Sequence, residues 1–353
     1  MKIAPVLRAI DQKNAVFAPV LVHTGQHYSP ELSDVFFEQL GIRKPDAHLE
    51  AGSGSHGAQT ARVLEAFERF LLESSPAVSA VMVVGDVNST IAAALAAAKL
   101  QIPVIHLEAG LRSFDRAMPE EINRLATDAI SALLLVSEPA GEMNLRNEGV
   151  AAARIRYVGN VMIDTLVHHL PDARSTEGDY AVATLHRPSN VDGRESLSEI
   201  ARFLSEIARR VKVVFPVHPR TKARLHEFGL LTELEAAGVS LLGPQGYIEN
   251  LGLMRGARFV LTDSGGIQEE TSYLSVPCLT LRENTERPST ISHGTNTLVG
   301  RDFALGLHLV DEILAGRYKK SAGIPGWDGH AAERVVDAVA EFLAGSRCSI
   351  AAS

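Results

Sequence analysis

The chain is poor in cysteine: two in 353 residues, Cys278 and Cys348. So sparse and separated a pair makes neither a disulfide framework nor a zinc site. One buried thiol and one tail thiol are expected instead. Long apolar runs are also missing. The longest stretch of small apolar residues, Ile91 to Ala98, is too short to span a bilayer. Arg8 interrupts the apolar residues after Met1-Lys2-Ile3-Ala4-Pro5, so no signal pattern opens the chain. A reducing cytoplasm is the expected setting, with no membrane contact. Positive charge is not in excess: 34 Lys and Arg stand against 42 Asp and Glu, for a net charge of −8. That balance argues against an extended nucleic-acid or membrane surface. It leaves room for an anionic small ligand held by a few cations and backbone N–H groups.

What is present is a well-filled interior: 46% hydrophobic and 22% charged residues, over a length that suits two domains. Strand-like and helix-like segments alternate throughout. Val16–His23, Ala80–Val84, Val104–Leu107 and Ala132–Val136 read as short buried strands. Ser29-Pro30-Glu31 opens a helix that Gly41 closes. Val63, Leu64, Phe67, Phe70 and Leu71 make one apolar helical stripe, which is core rather than cofactor site. The polar stretch Pro171–Gly178 reads as a linker. The pattern then resumes with strands at Tyr180–Leu185, Lys212–Val217, Val239–Leu242, Ala257–Thr262 and Cys278–Leu281. Such alternation implies parallel sheets covered by helices. The expected fold is α/β, with two doubly wound Rossmann-like domains, 1–168 and 169–328, facing a cleft. The last helix, near 329–346, is free to pack on either domain.

The charged motifs fall at strand ends, where open α/β sheets build their sites. Gly85-Asp86 follows one strand, His106-Leu107-Glu108-Ala109-Gly110-Leu111-Arg112 ends the next, and Pro119-Glu120-Glu121-Ile122-Asn123-Arg124 comes soon after. Each acid taken alone has an ordinary structural reading as a cap, a first-turn acid or a surface ion pair. On consecutive units of one sheet, they suit proton exchange with a carbon acid. In the second half, Thr262-Asp263-Ser264-Gly265-Gly266-Ile267-Gln268-Glu269-Glu270 follows a strand and opens a helix, offering N–H groups to an anion. The dinucleotide spacing G-x-G-x-x-G is absent. His186-Arg187-Pro188 and His218-Pro219-Arg220 end two strands, and they suit a diphosphate better than a metal. Thr285-Glu286-Arg287-Pro288 adds a cation in a loop.

Taken in order from Met1 to about Ala338, these segments, with Gly159-Asn160 and Pro216–Arg220, resemble the non-hydrolysing UDP-N-acetylglucosamine 2-epimerases. The resemblance implies a glycosyltransferase-B-like fold, a homodimer, a UDP-sugar substrate and no added cofactor. It implies that Asp86, Glu108 and Glu120 are the catalytic acids and that His186 contacts the diphosphate. By the same resemblance Ser264, Gly265 and Gly266 form the diphosphate loop, Glu270 meets the ribose, and Arg287 meets nucleotide or sugar. Lys2 and His218 belong near that site, and Gln245, Tyr247 and Ile248 fall where the uracil is held. The implied chemistry is elimination of UDP to 2-acetamidoglucal and its re-addition.

The chain departs from the family at two places. Relatives carry a strand and a Gly-Thr-Arg-Pro-like loop before Met-Lys-Ile-Ala-Pro, whereas this sequence starts inside that motif. Without a central strand, neighbouring ladder groups are expected to be exposed. His23-Thr24-Gly25-Gln26-His27 resembles part of a second, activating substrate site, but Ala51–Gln59 is rich in Gly and Ser where relatives carry Gln and Arg. The rival readings are a glycosyltransferase on the same fold and a nucleotide-sugar binding protein without turnover.

Overall fold

The computed structural model describes residues 1–13, 17–25, 39–175 and 178–351, the last six of these as backbone only. Ser29-Pro30-Glu31, Gln26-His27 and the Cys348 side chain lie outside the described residues. The chain divides into two compact units: Met1–Thr165 with Pro325–Ser353, and Leu166–Ile324.

In the first unit, β3 (Val81–Val84), β4 (Val104–Ala109), β5 (Leu133–Val136) and β6 (Ile155–Tyr157) form one parallel sheet in that order. A separate parallel pair joins β1 (Val22–His23) to β2 (Ala47–His48). The strand expected from Val16 is therefore confined to two residues among those described. Alternate residues of the sheet face opposite helical layers. Ile105, Leu107, Leu133 and Leu135 pack on one side with Val6 and Ile10 of the Ile3–Gln12 helix. Val81, Val83 and Val104 pack on the other with Phe67 and Leu71 of the His56–Glu73 helix. Buried Ala93, Ala94, Ala96 and Ala97 face this second layer too. The expected stripe of Val63, Phe67 and Leu71 is thus core.

The last helix, Ala331–Ala351, longer than expected, belongs to this unit. Val335, Val336 and Val339 complete the core beside Val6 and Ile10. Its return is specific: Asp164 accepts hydrogen bonds from Ala331 N and Ala332 N at 3.1 and 2.6 Å. The Trp327 indole donates to Ser137 O at 2.9 Å, and Arg334 reaches Val158 O and Gly326 O.

The second unit holds six parallel strands in the order β12-β11-β10-β7-β8-β9. They are β7 (Tyr180–Thr184), β8 (Lys212–Pro216), β9 (Val239–Leu242), β10 (Phe259–Thr262), β11 (Cys278–Thr280) and β12 (Asn296–Leu298). The chain moves from β7 to β8 and β9 on one side, then returns to place β10, β11 and β12 on the other. The order therefore reverses between β7 and β10, and a crevice forms beyond the carboxyl ends of such a pair. Cys278 is fully buried, as expected, and burial pushes its thiol up to about 11. Among the described residues, no helix is long and apolar enough to cross a membrane.

Gly159 sits at φ +83°, and a Cβ there would stand 2.0 Å from Gly326 O and 2.8 Å from Arg334 Nη2. Both the backbone conformation and the contact demand glycine. Gly159→Ala is expected to lower stability by about 3 kcal/mol, read as a fall in the urea midpoint at unchanged slope.

Candidate functional site

The first unit gathers its acids at the carboxyl ends of β3 and β4. Gly85 N donates to Leu107 O, which ties the two strand ends together. Glu108 lies at a register shift in β4, between Leu107 and Ala109, and takes φ +75°. A bulge of this kind re-aims a side chain, and its left-handed backbone at a non-glycine residue stores strain. The result is a Glu108 carboxylate ion-paired with Lys2 Nζ. A Cβ on Gly85 would come 3.0 Å from that Nζ and 3.8 Å from Glu108 Oε2, so Gly85 leaves space for the pair.

Asp86 is gripped from the next helix. Arg124, in Pro119–Ile130, donates from Nε and Nη2 to Asp86 Oδ2 at 2.9 and 2.7 Å, and Asn123 donates to Asp86 O at 2.9 Å. Arg124 is itself held by Glu121 Oε2 at 2.6 Å. Glu121 also accepts from Ser113 N, Ser113 Oγ and Phe114 N. Glu120, one turn before Arg124 on the same face, is half-buried, and its carboxylate makes no hydrogen bond or ion pair among the described residues. Asp86 and Glu108 thus stand at neighbouring strand ends, and Arg124 joins Asp86 to the helix that carries Glu120.

In the second unit the organising group is the carboxylate of Asp263, fully buried at the end of β10. It accepts from His186 N at 3.1 Å, Arg187 N at 2.9 Å and Asn190 Nδ2 at 3.1 Å, and faces His186 Nδ1 at 3.1 Å. Burial opposes its charge, but His186 and these donors outweigh burial and hold the carboxyl below the usual range. The carboxylate fixes the proton on Nδ1 of His186, so Nε2 of this part-exposed ring points elsewhere. The His218 ring lies 5.8 Å away. Its Nδ1 accepts from Arg220 N at 3.2 Å, and partial burial with the neighbouring His186 lowers its pKa.

Ser264 begins the Gly265–Leu274 helix without capping it through its side chain. The N–H groups of Gly265, Gly266 and Ile267 lie in the first turn, where a helix offers no acceptor of its own. A Cβ on Gly265 would meet Arg287 Nη1 at 2.9 Å. Arg287 is buried and engaged by Glu269 Oε1 and Glu286 Oε1, each at 2.6 Å. Its charge thus sits directly behind the first turn.

One turn further in, Glu270 is buried, and burial raises its pKa to about 8. Tyr247 is its neighbour, and burial with the Glu270 carboxyl pushes the phenol up as well. The two join the 245–248 segment to the Gly265–Leu274 helix. Ile248 is half-buried there, whereas Gln245 is exposed and folds onto its own loop through Gly243 O at 2.9 Å. Sequence reading left Asp263, Arg124 and Asp128 without roles. Asp263 is legible there as the residue between Thr262, which ends a strand, and Ser264 of the expected diphosphate loop.

Two parallel sheets, each with charged groups at its carboxyl strand ends, place the chain in the glycosyltransferase-B-like fold class. A family model described as UDP-N-acetylglucosamine 2-epimerase matches residues 8–340. A UDP-N-acetylglucosamine 2-epimerase of Methanococcus maripaludis is 41% identical over 354 residues, covering 96% of this chain and 94% of that protein. A UDP-2,3-diacetamido-2,3-dideoxy-D-glucuronate 2-epimerase of Pseudomonas aeruginosa is 42% identical over 308 residues, covering 85% of each. The crystal structure of the Methanocaldococcus jannaschii UDP-GlcNAc 2-epimerase in complex with UDP-GlcNAc and UDP superposes with a TM-score of 0.86 at 40% identity, covering 96% of this chain and 95% of that one. The chain belongs to the UDP-N-acetylglucosamine 2-epimerase family.

Glu270 gives the second unit a signature in pH. Its carboxyl is protonated in the fold at neutral pH but ionised in the unfolded chain above about 4.5, so folding takes up a proton in between. The stabilising contribution is complete below the unfolded value and is lost as pH rises toward about 8. Glu270→Gln should flatten that decline, seen as a smaller drop in melting temperature between pH 5 and about 8.

Proposed function

We propose that this protein inverts C2 of UDP-N-acetylglucosamine reversibly, giving UDP-N-acetylmannosamine, by eliminating and re-adding UDP. The observation that carries the reading is the acid edge of the first unit: Asp86 held by Arg124, Glu108 turned by its bulge toward Lys2, and Glu120 on the face that carries Arg124. Two carboxylates at adjacent strand ends and a third in the first turn of the following helix exceed what simple group transfer requires, and they suit a reaction that must remove and return a proton at carbon.

In this reading one carboxylate takes the C2 proton. The C2–H electron pair becomes the C1–C2 double bond as the C1–O bond breaks, and UDP leaves with that bond's pair. The glycal then accepts a proton at C2 from an acid on its other face while a UDP oxygen rebuilds the bond to C1. C2–H is a weak acid, so charge developing on the leaving diphosphate must be met by fixed donors. The first-turn N–H groups at Gly265 and Gly266, Ser264, and His186 with its proton fixed by Asp263 fill that role, each worth about 2–4 kcal/mol when aimed in advance. Arg287 adds its charge from behind Gly265. Glu270 receives the ribose, with Gln245, Tyr247 and Ile248 at the uracil and His218 beside His186.

Proton NMR of the protein with UDP-N-acetylglucosamine in D2O tests the reading. Deuterium should appear at C2 of the product with no acceptor added; retained protium would end the elimination mechanism. Conversion of UDP-2,3-diacetamido-2,3-dideoxyglucuronate in its place would reassign the sugar. Asp86→Asn should cut kcat by about 10²–10⁴-fold and leave UDP affinity within about threefold, whereas equal losses in both would make Asp86 a binding residue.

A further inference from the structure

Beneath the acid edge lies a buried ionic chain that the reaction scheme above does not use. His106, in β4, is fully buried. Its Nδ1 faces Asp128 Oδ1 at 2.6 Å and its Nε2 faces Gly85 O at 2.8 Å. Asp128 Oδ2 accepts from Gly110 N at 3.0 Å and pairs with Arg112 Nη1 at 2.7 Å. Arg112 passes the chain outward to both oxygens of Glu148, at 2.8 and 2.7 Å. The protons are accounted for by chemistry. A carbonyl oxygen can only accept, so Nε2 carries hydrogen. Burial opposes ionisation of Asp128, yet His106 and Arg112 outweigh it and hold the carboxyl below its usual range.

The two backbone groups at the inner end of this chain are telling. Gly85 O belongs to the peptide that leads directly into Asp86. Gly110 N lies just beyond the bulge that turns Glu108. Both glycines take left-handed backbone, at φ +71° and +80°. Gly110 is wedged so closely that a Cβ would stand 2.4 Å from Gly141 O. We propose that His106 and Asp128 are a positioning pair that sets two of the reactive carboxylates together, His106 through Gly85 O to Asp86 and Asp128 through Gly110 N to Glu108. The pair touches no substrate. It converts the slack of two glycine turns into a fixed separation between two acids, and effective proton transfer is sensitive to errors well below 1 Å. The inference rests on the functional reading above, since the carboxylates matter only if they exchange protons.

Amide replacements separate the contacts. The Nδ2 of Asn at 106 can replace Nδ1 toward Asp128 but cannot reach Gly85 O, whereas the Nε2 of Gln can. His106→Asn is therefore expected to lose about 10²-fold in kcat, and His106→Gln no more than about tenfold. Asp128→Asn should lose about 10²-fold, and the double variant His106→Asn, Asp128→Asn no more than the worse single, because both act through one unit. KM and UDP affinity should stay within about threefold throughout. Glu148→Gln removes the outer ion pair without touching either glycine, and should leave kcat within about threefold whatever it does to melting temperature. Equal losses from Asn and Gln at 106, or losses that multiply in the double variant, would reduce the pair to ordinary core. Crystal structures of the variants give a readout free of turnover: Gly85–Asp86 or Glu108–Gly110 should be displaced, and unmoved backbone in both overturns the proposal. Native protein that exchanges no deuterium at C2 would instead sink the functional reading, leaving the displacement to be judged from the crystals.

Discussion

Every functional feature of this molecule depends on one constraint: the strands within each sheet run parallel. A parallel sheet brings all its carboxyl ends to one edge, and the residue after each strand is the first one free to leave the ladder. Asp263 occupies that position, Asp86, His186 and His218 stand one residue further on, and Glu108 is turned out by a bulge at the end of its own strand. Charged side chains that would be costly inside the sheet are thereby collected where each has a neighbour to neutralise it. In both units the neighbours come from helices of the same unit: Lys2 at the start of the first helix, Arg124 and Asp128 from Pro119–Ile130, and Asn190 from the short helix after β7.

The units spend this common geometry differently. The first places carboxylates against single cations, Lys2 and Arg124, so acids remain the dominant groups at its edge. The second buries its acids and turns N–H groups outward. Asp263 is consumed by backbone donors and by His186, Glu269 by Arg287, and Glu270 by its own protonation. What faces outward there is the positive end of a helix and an imidazole. One edge suits proton traffic and the other an anion, and neither requires a strongly basic protein, which agrees with the net charge of −8.

Much of this was legible in the sequence where the signal is local. Buried strands such as Leu133–Val136 and Phe259–Thr262 are apolar along nearly their whole length, and the motifs that follow them are contiguous. The strands that escaped notice are short and near sheet edges. Ile155-Arg156-Tyr157 carries a cation at its centre, Asn296-Thr297-Leu298 is half polar, and Ala47-His48 is only two residues long. Pattern reading finds strands buried on both faces and passes over those with one polar side. Long-range contacts were beyond its reach for a different reason. The bond from His106 to Asp128 joins a strand to a helix 22 residues later, and that between Tyr247 and Glu270 joins two helices; no spacing rule encodes either. Nor does a glutamate announce that it will adopt a glycine's conformation, as Glu108 does.

The return of the last helix has a consequence for how the molecule is made. Val335, Val336 and Val339 close the hydrophobic centre that Val6 and Ile10 begin, and Asp164 waits for the amides of Ala331 and Ala332. On the ribosome, the unit translated first therefore cannot finish its interior until the closing segment has emerged. The unit encoded between them has every strand it needs before that moment. Synthesis order and completion order are thus inverted, and the half that carries the acids spends longest as an open, exposed intermediate.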